Sequence, residues 1–180
     1  RTLYVSAIAG VGGDGSRDAP FNSLQTLEQA SQPGDDLVVL AVPIDVPALD
    51  GGIALKPHQR LLGDGPDVVE QQANAAVSGA AARAALPRIR NTDQLRQQGD
   101  VVRLAEQNEV HNLVITESVR GGIYGLNTPG TVVRGNDVSG YNTSCAVGFI
   151  VEPFVLPTNL PLVGVPLALP AGWAGILIDA

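Results

Sequence analysis

Two stretches of this chain repeat one another at a fixed distance. Val110, Leu113 and Ile115 recur 23 residues later as Val133, Asn136 and Val138, and Asn112 recurs as Gly135. Other short β-prone runs stand around them: Ile89, residues 101–104, and Gly122-Ile123-Tyr124. So short a strand cannot bury an apolar face alone, but stacked copies can. A period of roughly 20–30 residues with short strands and turns between them is the mark of a solenoid. Composition agrees. The 21 Gly and 13 Pro weaken helix interiors and suit tight turns, which excludes a helical bundle. With 44% hydrophobic and 16% charged residues, the chain has material for a core and is not disordered throughout. Its 180 residues suit one domain.

Along the chain, residues 3–6 form a first strand and residues 10–20 a Gly/Asp/Ser loop. Leu24, Leu27 and Ala30 fall at helical spacing behind Asn22 or Ser23 as N-cap, and Pro33-Gly34-Asp35 stops the helix. Residues 37–42 are strongly β-prone, and shorter strands follow around residues 53–56 and 60–63. Residues 67–86 are rich in Ala, Gln and Val and are expected to form a loop or insertion. The expected organisation is one domain over 1–180. It has a cap and first coil at 1–50, regular coils at 87–150, and a Pro-rich loop at 152–172 before Trp173 to Ile176 resume the rhythm. The strand-like ending and the absence of an initial Met suggest a piece of a longer chain.

The segments Gly12-Gly13-Asp14-Gly15-Ser16, Pro20-Phe21-Asn22-Ser23-Leu24, Pro33-Gly34-Asp35 and residues 52–65 resemble the N-terminal cap of secreted β-helix repeat proteins. Residues 102–138 resemble the generic repeat of the right-handed parallel β-helix proteins of the pectate-lyase-like superfamily. The likeness is nearest to bacterial surface proteins in which the β-helix is a passenger or adhesive module. It covers most of residues 1–150 and is specific for fold rather than activity. It implies an all-β, right-handed parallel β-helix with a short N-terminal capping helix, secreted or on the cell surface, in a structural or adhesive role. The implied partner is a polysaccharide or cell-surface glycan. The alternative is a polysaccharide lyase or glycoside hydrolase, with its active coils here or downstream. The structural residues expected are Leu24 and Leu27 in the cap, and Val110, Leu113, Ile115, Val133, Asn136 and Val138 in the coil. An inward Asn136 would bond to backbone groups.

Pectate lyases of the superfamily hold calcium with carboxylates and take a proton with an arginine. The regular coils here carry Glu106, Glu109, Glu117 and Asp137, with Arg88, Arg103, Arg120 and Arg134. They show neither a paired-aspartate signature nor an arginine block, so no catalytic residue is assigned. The ligand-facing candidates are Tyr124, Tyr141, Arg103, Arg134, Glu106 and Asp137. Tyrosine rings stack on sugar faces, and Glu106, Arg103 and Arg134 could share one sheet face. No cofactor is expected, and calcium is the one ion the resemblance brings in. Asp14 and Asp18 are weak metal candidates beside a glycine loop that reads best as a turn. His58 and His111 read as surface residues, and Cys145 as a buried inert thiol. One Cys and two His exclude an internal disulfide and a multi-Cys or His-based zinc site. A net charge of -7 argues against nucleic acid as partner. No apolar run is long enough for a membrane-spanning helix.

Overall fold

A computed structural model describes residues 1–65, 86–143 and 175–179. Among the described residues there is one α-helix, α1 (Leu24–Ala30), and twelve strands. These are β1 (Thr2–Val5), β2 (Asp36–Leu40), β3 (Ile53–Ala54), β4 (Arg60–Asp64), β5 (Arg88–Asn91) and β6 (Val102–Arg103). They continue as β7 (Glu109–His111), β8 (Val114–Ser118), β9 (Ile123–Leu126), β10 (Val132–Arg134), β11 (Asp137–Val138) and β12 (Ile176–Asp179). The strands make three sheets, ordered β1-β2-β4-β7-β10, β11-β8-β5 and β12-β9-β6-β3. Every pairing is parallel. From β4 onward the chain visits the first, second and third sheets in strict rotation. From there on, the crossover that a parallel pair requires is made by the strands of the other two sheets, whereas β1 reaches β2 through a loop and α1.

The repeat seen in the sequence is a pairing register. Val133 lies opposite Val110 and Val138 opposite Ile115. Along the first sheet, Leu3, Leu37, Leu61 and Val110 stack in line and are buried. Ile89 and Ile115 do the same in the second sheet, and Ile53, Val102 and Ile123 in the third. One continuous core results, with Leu113 inside it and Val133 and Val138 packed against it. Near-continuous apolar stacking of this kind is how parallel strands satisfy burial. Asn136 is half-buried rather than fully inward. Its amide accepts the Leu113 N–H at 3.1 Å and donates to the Val110 carbonyl at 2.8 Å, tying its own turn to the one before.

Helix α1 starts where Ser23 Oγ accepts the Thr26 N–H at 3.1 Å, and it buries Leu24 and Leu27 completely. It packs on β1 and β3, where the third sheet begins. There the Glu28 carboxylate accepts the N–H of Ala54 at 3.1 Å. That donor points away from β6 and would otherwise be a bare edge. Lys56 Nζ bonds the Glu28 carbonyl and also that of Ser31, fixing the end of the helix.

Some expected elements take different bounds. The strand expected over residues 37–42 ends at Leu40, because Pro43 and Pro47 lie in the loop beyond. That loop is held by Arg88, which reaches the carbonyls of Pro43, Ile44 and Val46. Residues 101–104 supply only the two-residue strand β6. Nearly all of the expected insertion at 67–86, together with Cys145, the Pro-rich loop at 152–172 and Trp173, lies outside the described residues.

Candidate functional site

The residues entering the first sheet form a stacked turn. Asp35, Gln59, Asn108 and Thr131 each stand immediately before a strand, β2, β4, β7 and β10. The preceding residues are Pro33-Gly34, Pro57-His58, Glu106-Gln107 and Pro129-Gly130, and the second of each pair has positive φ: 80°, 62°, 55° and 72°. Pro followed by a positive-φ residue suits a type II turn. Each polar side chain closes its own turn. Asp35 accepts the Gln32 N–H, Gln59 the Lys56 N–H and Asn108 the Ala105 N–H, while the Thr131 hydroxyl donates to the Thr128 carbonyl. The amides also reach the previous turn. Gln59 Nε2 donates to the Gln32 carbonyl at 2.8 Å, and Asn108 Nδ2 to the carbonyls of Lys56 and Gln59 at 2.8 and 3.1 Å. Gln59 and Asn108 are wholly buried, and the oxygen and nitrogen of each amide have partners, as buried amides must.

These turns set the outward residues of the first sheet in two lines across the strands. One line runs Thr2, Asp36, Arg60, Glu109, Val132, and the other Tyr4, Val38, Leu62, His111, Arg134. Arg60 forks onto Asp36, with Nε at 2.6 Å and a terminal nitrogen at 2.7 Å. The Asp36 hydrogen bonds, followed by attraction to Asp36 and Glu109, hold the guanidinium pKa above its ordinary value. Arg17 bonds Asp64 at 2.8 Å and lies over the Tyr4 ring, 5.5 Å from its centre. Mixed charge beside a half-buried apolar line suits contact with an extended polar ligand.

The structure scatters the sequence candidates. Glu106, Arg103 and Arg134 do not share a face. Arg103 lies on β6 in the third sheet, Arg134 on β10 in the first, and Glu106 is exposed in the turn between β6 and β7. Asp137 opens β11 in the second sheet and is half-buried. Tyr141 is exposed beyond β11. Tyr124 does stand at an outward position, but it is 6% exposed. The guanidiniums of Arg103 and Arg120 each lie 4.9 Å from its ring centre and shield it. His58 is exposed, as expected. His111 is not a free surface residue: its side chain is 15% exposed and lies 4.0 Å from the Glu109 carboxylate. Asp14 accepts the Ser16 N–H at 2.9 Å, as a turn residue does. No group of three or more metal-ligating side chains occurs among the described residues.

A buried ion pair that the sequence did not reveal lies beside Tyr124. Asp100 is wholly buried and receives both Nε and a terminal nitrogen of Arg120, together with the Gly121 N–H at 3.1 Å. Burial pushes the Asp100 carboxyl above its usual range, and the bonds from Arg120 only partly oppose this. Asn91, also buried, donates to the carbonyls of Arg96 and Asp100. Nothing in the local pattern marks Asp100 and Arg120 as partners, since they are 20 residues apart on different crossovers.

No family model matches this chain, and neither the curated proteins nor the solved structures contain a match to it. Among the described residues no helix is long and apolar enough to cross a membrane.

Proposed function

We propose that the chain is a right-handed parallel β-helix of the pectate-lyase-like type, acting outside the cell or on its surface as a structural or adhesive module that binds carbohydrate. The observation that carries the β-helix reading is the rotation of successive strands through three parallel sheets. The stacked turns before β2, β4, β7 and β10 support it, because they repeat one bend at one corner. Crossovers between parallel strands are overwhelmingly right-handed, which sets the proposed hand. The location rests on the resemblance of the cap and coil segments. The proposed carbohydrate surface is the outward face of the first sheet, where Asp36, Arg60, Glu109 and Arg134 flank Tyr4 and Leu62.

Affinity electrophoresis in gels containing polygalacturonate, alginate or a neutral glucan tests the reading. Retardation by one polysaccharide, reduced by Arg60→Ala and Arg134→Ala, is expected. Unretarded migration in all three overturns the carbohydrate role. The same polymers, incubated with and without calcium, test the enzyme alternative. Unsaturated products or new reducing ends, abolished by Arg134→Ala or Asp137→Ala, would replace a binding module with an enzyme.

A further inference from the structure

Between β5 and β6 the backbone takes the left-handed conformation at successive residues. Gln97, Gln98 and Gly99 have φ of 46°, 56° and 85°. A residue with a Cβ enters this region singly, because the Cβ crowds the following carbonyl oxygen. Two glutamines in a row therefore concentrate strain in one turn, and such strain persists only where the surroundings over-determine it. The turn is also tightly seated. Gly99 is buried, and a Cβ there would lie 3.0 Å from the Cβ of Val119 and 3.3 Å from that of Arg120.

Two parts of the molecule hold this turn from outside it. On one side stands the cap. The Glu28 carboxylate, besides taking the Ala54 N–H, accepts Gln97 Nε2 at 2.9 Å and lies 3.5 Å from a terminal nitrogen of Arg96. On the other side stands the buried ion pair. Gln98 Oε1 accepts one terminal nitrogen of Arg120 at 3.0 Å, while the other two nitrogens of that guanidinium hold Asp100. Backbone bonds complete the seat: the Gly99 carbonyl accepts the Arg120 N–H at 2.9 Å, and the Gln97 carbonyl the Asp100 N–H at 3.1 Å.

We propose that the turn at residues 97–99 is a strained clamp that couples the N-terminal cap to the Asp100–Arg120 pair, so that loosening either one releases the other. In the closed arrangement Glu28 and Arg120 together hold both glutamines at positive φ. In the released arrangement Gln97 and Gln98 return to negative φ, which withdraws one amide from Glu28 and the other from Arg120 in a single movement. Two holds that bias one two-state element meet the physical requirement for coupling between sites. A disturbance of α1 at Glu28 thereby reaches the interior corner at Asp100.

Amide hydrogen exchange of the 15N-labelled chain tests the clamp. Glu28→Ala is expected to speed exchange of the Gly121 N–H, which Asp100 accepts, by roughly two- to thirtyfold, the span of coupling carried by such networks. The N–H groups of Val114 and Asp137, at the corner leading into the second sheet, should keep their rates. Because coupling is reciprocal, Gln98→Ala should speed exchange at Ala54. Gln98→Gly removes the same side chain but relieves the strain, so Ala54 should stay closer to the unsubstituted chain. Residue 98 is exposed, so these two variants decide the matter even where Glu28→Ala folds poorly. Unchanged exchange at Gly121 in Glu28→Ala, equal acceleration at Val114 and Asp137, or equal rates at Ala54 in Gln98→Ala and Gln98→Gly each overturn the proposal.

Discussion

Two corners of this molecule hold successive turns together by opposite means. Beyond its first turn, where Asp35 is charged and pairs with Arg1, the corner entering the first sheet uses neutral groups: Gln59 and Asn108 are buried amides whose bonds run to backbone atoms of their own and the previous turn. The corner around Asp100 uses charge, with a buried carboxylate gripped by Arg120 from the next crossover. The neutral corner repeats because backbone is always available one strand spacing away. The charged arrangement does not recur from turn to turn, because each ion needs a specific counter-ion in place: Asp100 has Arg120, and Asp35 at the first turn has Arg1. Stacked structures can therefore multiply amide turns cheaply, whereas a buried ion pair fixes a single junction.

The largest expected effect breaks the charged corner. Arg120→Ala leaves Asp100 buried and uncompensated and should destabilise by about 3–5 kcal/mol in urea unfolding. The double variant Asp100→Asn with Arg120→Met should recover most of that loss, since no buried charge remains unpaired. A loss under about 1 kcal/mol for the single variant would mean that the pair is not a junction. The neutral corner comes next. Asn108→Ala deprives the Ala105 N–H and the Lys56 and Gln59 carbonyls of a partner and should cost about 2–3 kcal/mol, checked by the same unfolding curve.

Acid separates the corners further. Asp100 has a raised folded-state pKa, so its contribution is fully present below the ordinary aspartate value of 3.8 and is lost as pH rises through the folded value. At Asp35 burial raises the carboxyl, but the Gln32 N–H and Arg1 outweigh it and hold the pKa low. The Asp35 contribution is thus present above 3.8 and is lost as pH falls through its folded value. Stability measured from acid to neutral pH should show wild type losing ground against Asp100→Asn as pH rises, and gaining ground against Asp35→Asn. Parallel curves for the two variants would contradict this assignment. The smallest effect lies within the neutral corner itself. Gln107 holds φ at 55° where Gly34 and Gly130 occupy the equivalent place, so Gln107→Gly should stabilise by up to about 1 kcal/mol. A shift of the thermal midpoint downward would show that the Gln107 side chain contributes more than its backbone costs.

The sequence made one line of the fold legible. Val110, Leu113 and Ile115 read as a repeat because inward positions demand apolar side chains, and the same pressure acts on Val133 and Val138. The neutral corner stayed hidden because Asp35, Gln59, Asn108 and Thr131 differ chemically while performing one task. Three of the four stand behind proline, at residues 33, 57 and 129, and that spacing was the available signal. The step from β4 to β7 also spans 49 residues rather than 23 or 24, which breaks the period. For Tyr124, alternation gave the side of the sheet on which it stands and no more. Whether arginines from neighbouring segments cover that side is a matter of three-dimensional packing.

The carboxylate of Glu28 has a consequence for how this protein behaves in company. The third sheet begins at β3, a strand of two residues whose outward N–H on Ala54 is occupied by Glu28. An incoming strand from another molecule would have to displace that carboxylate and the helix that carries it before it could pair. One acidic side chain thus serves as a guard against fibre-like growth from this end. Its removal would be felt in concentrated solution as self-association, beside the loss of its bonds to Gln97 and Arg96 in the isolated molecule.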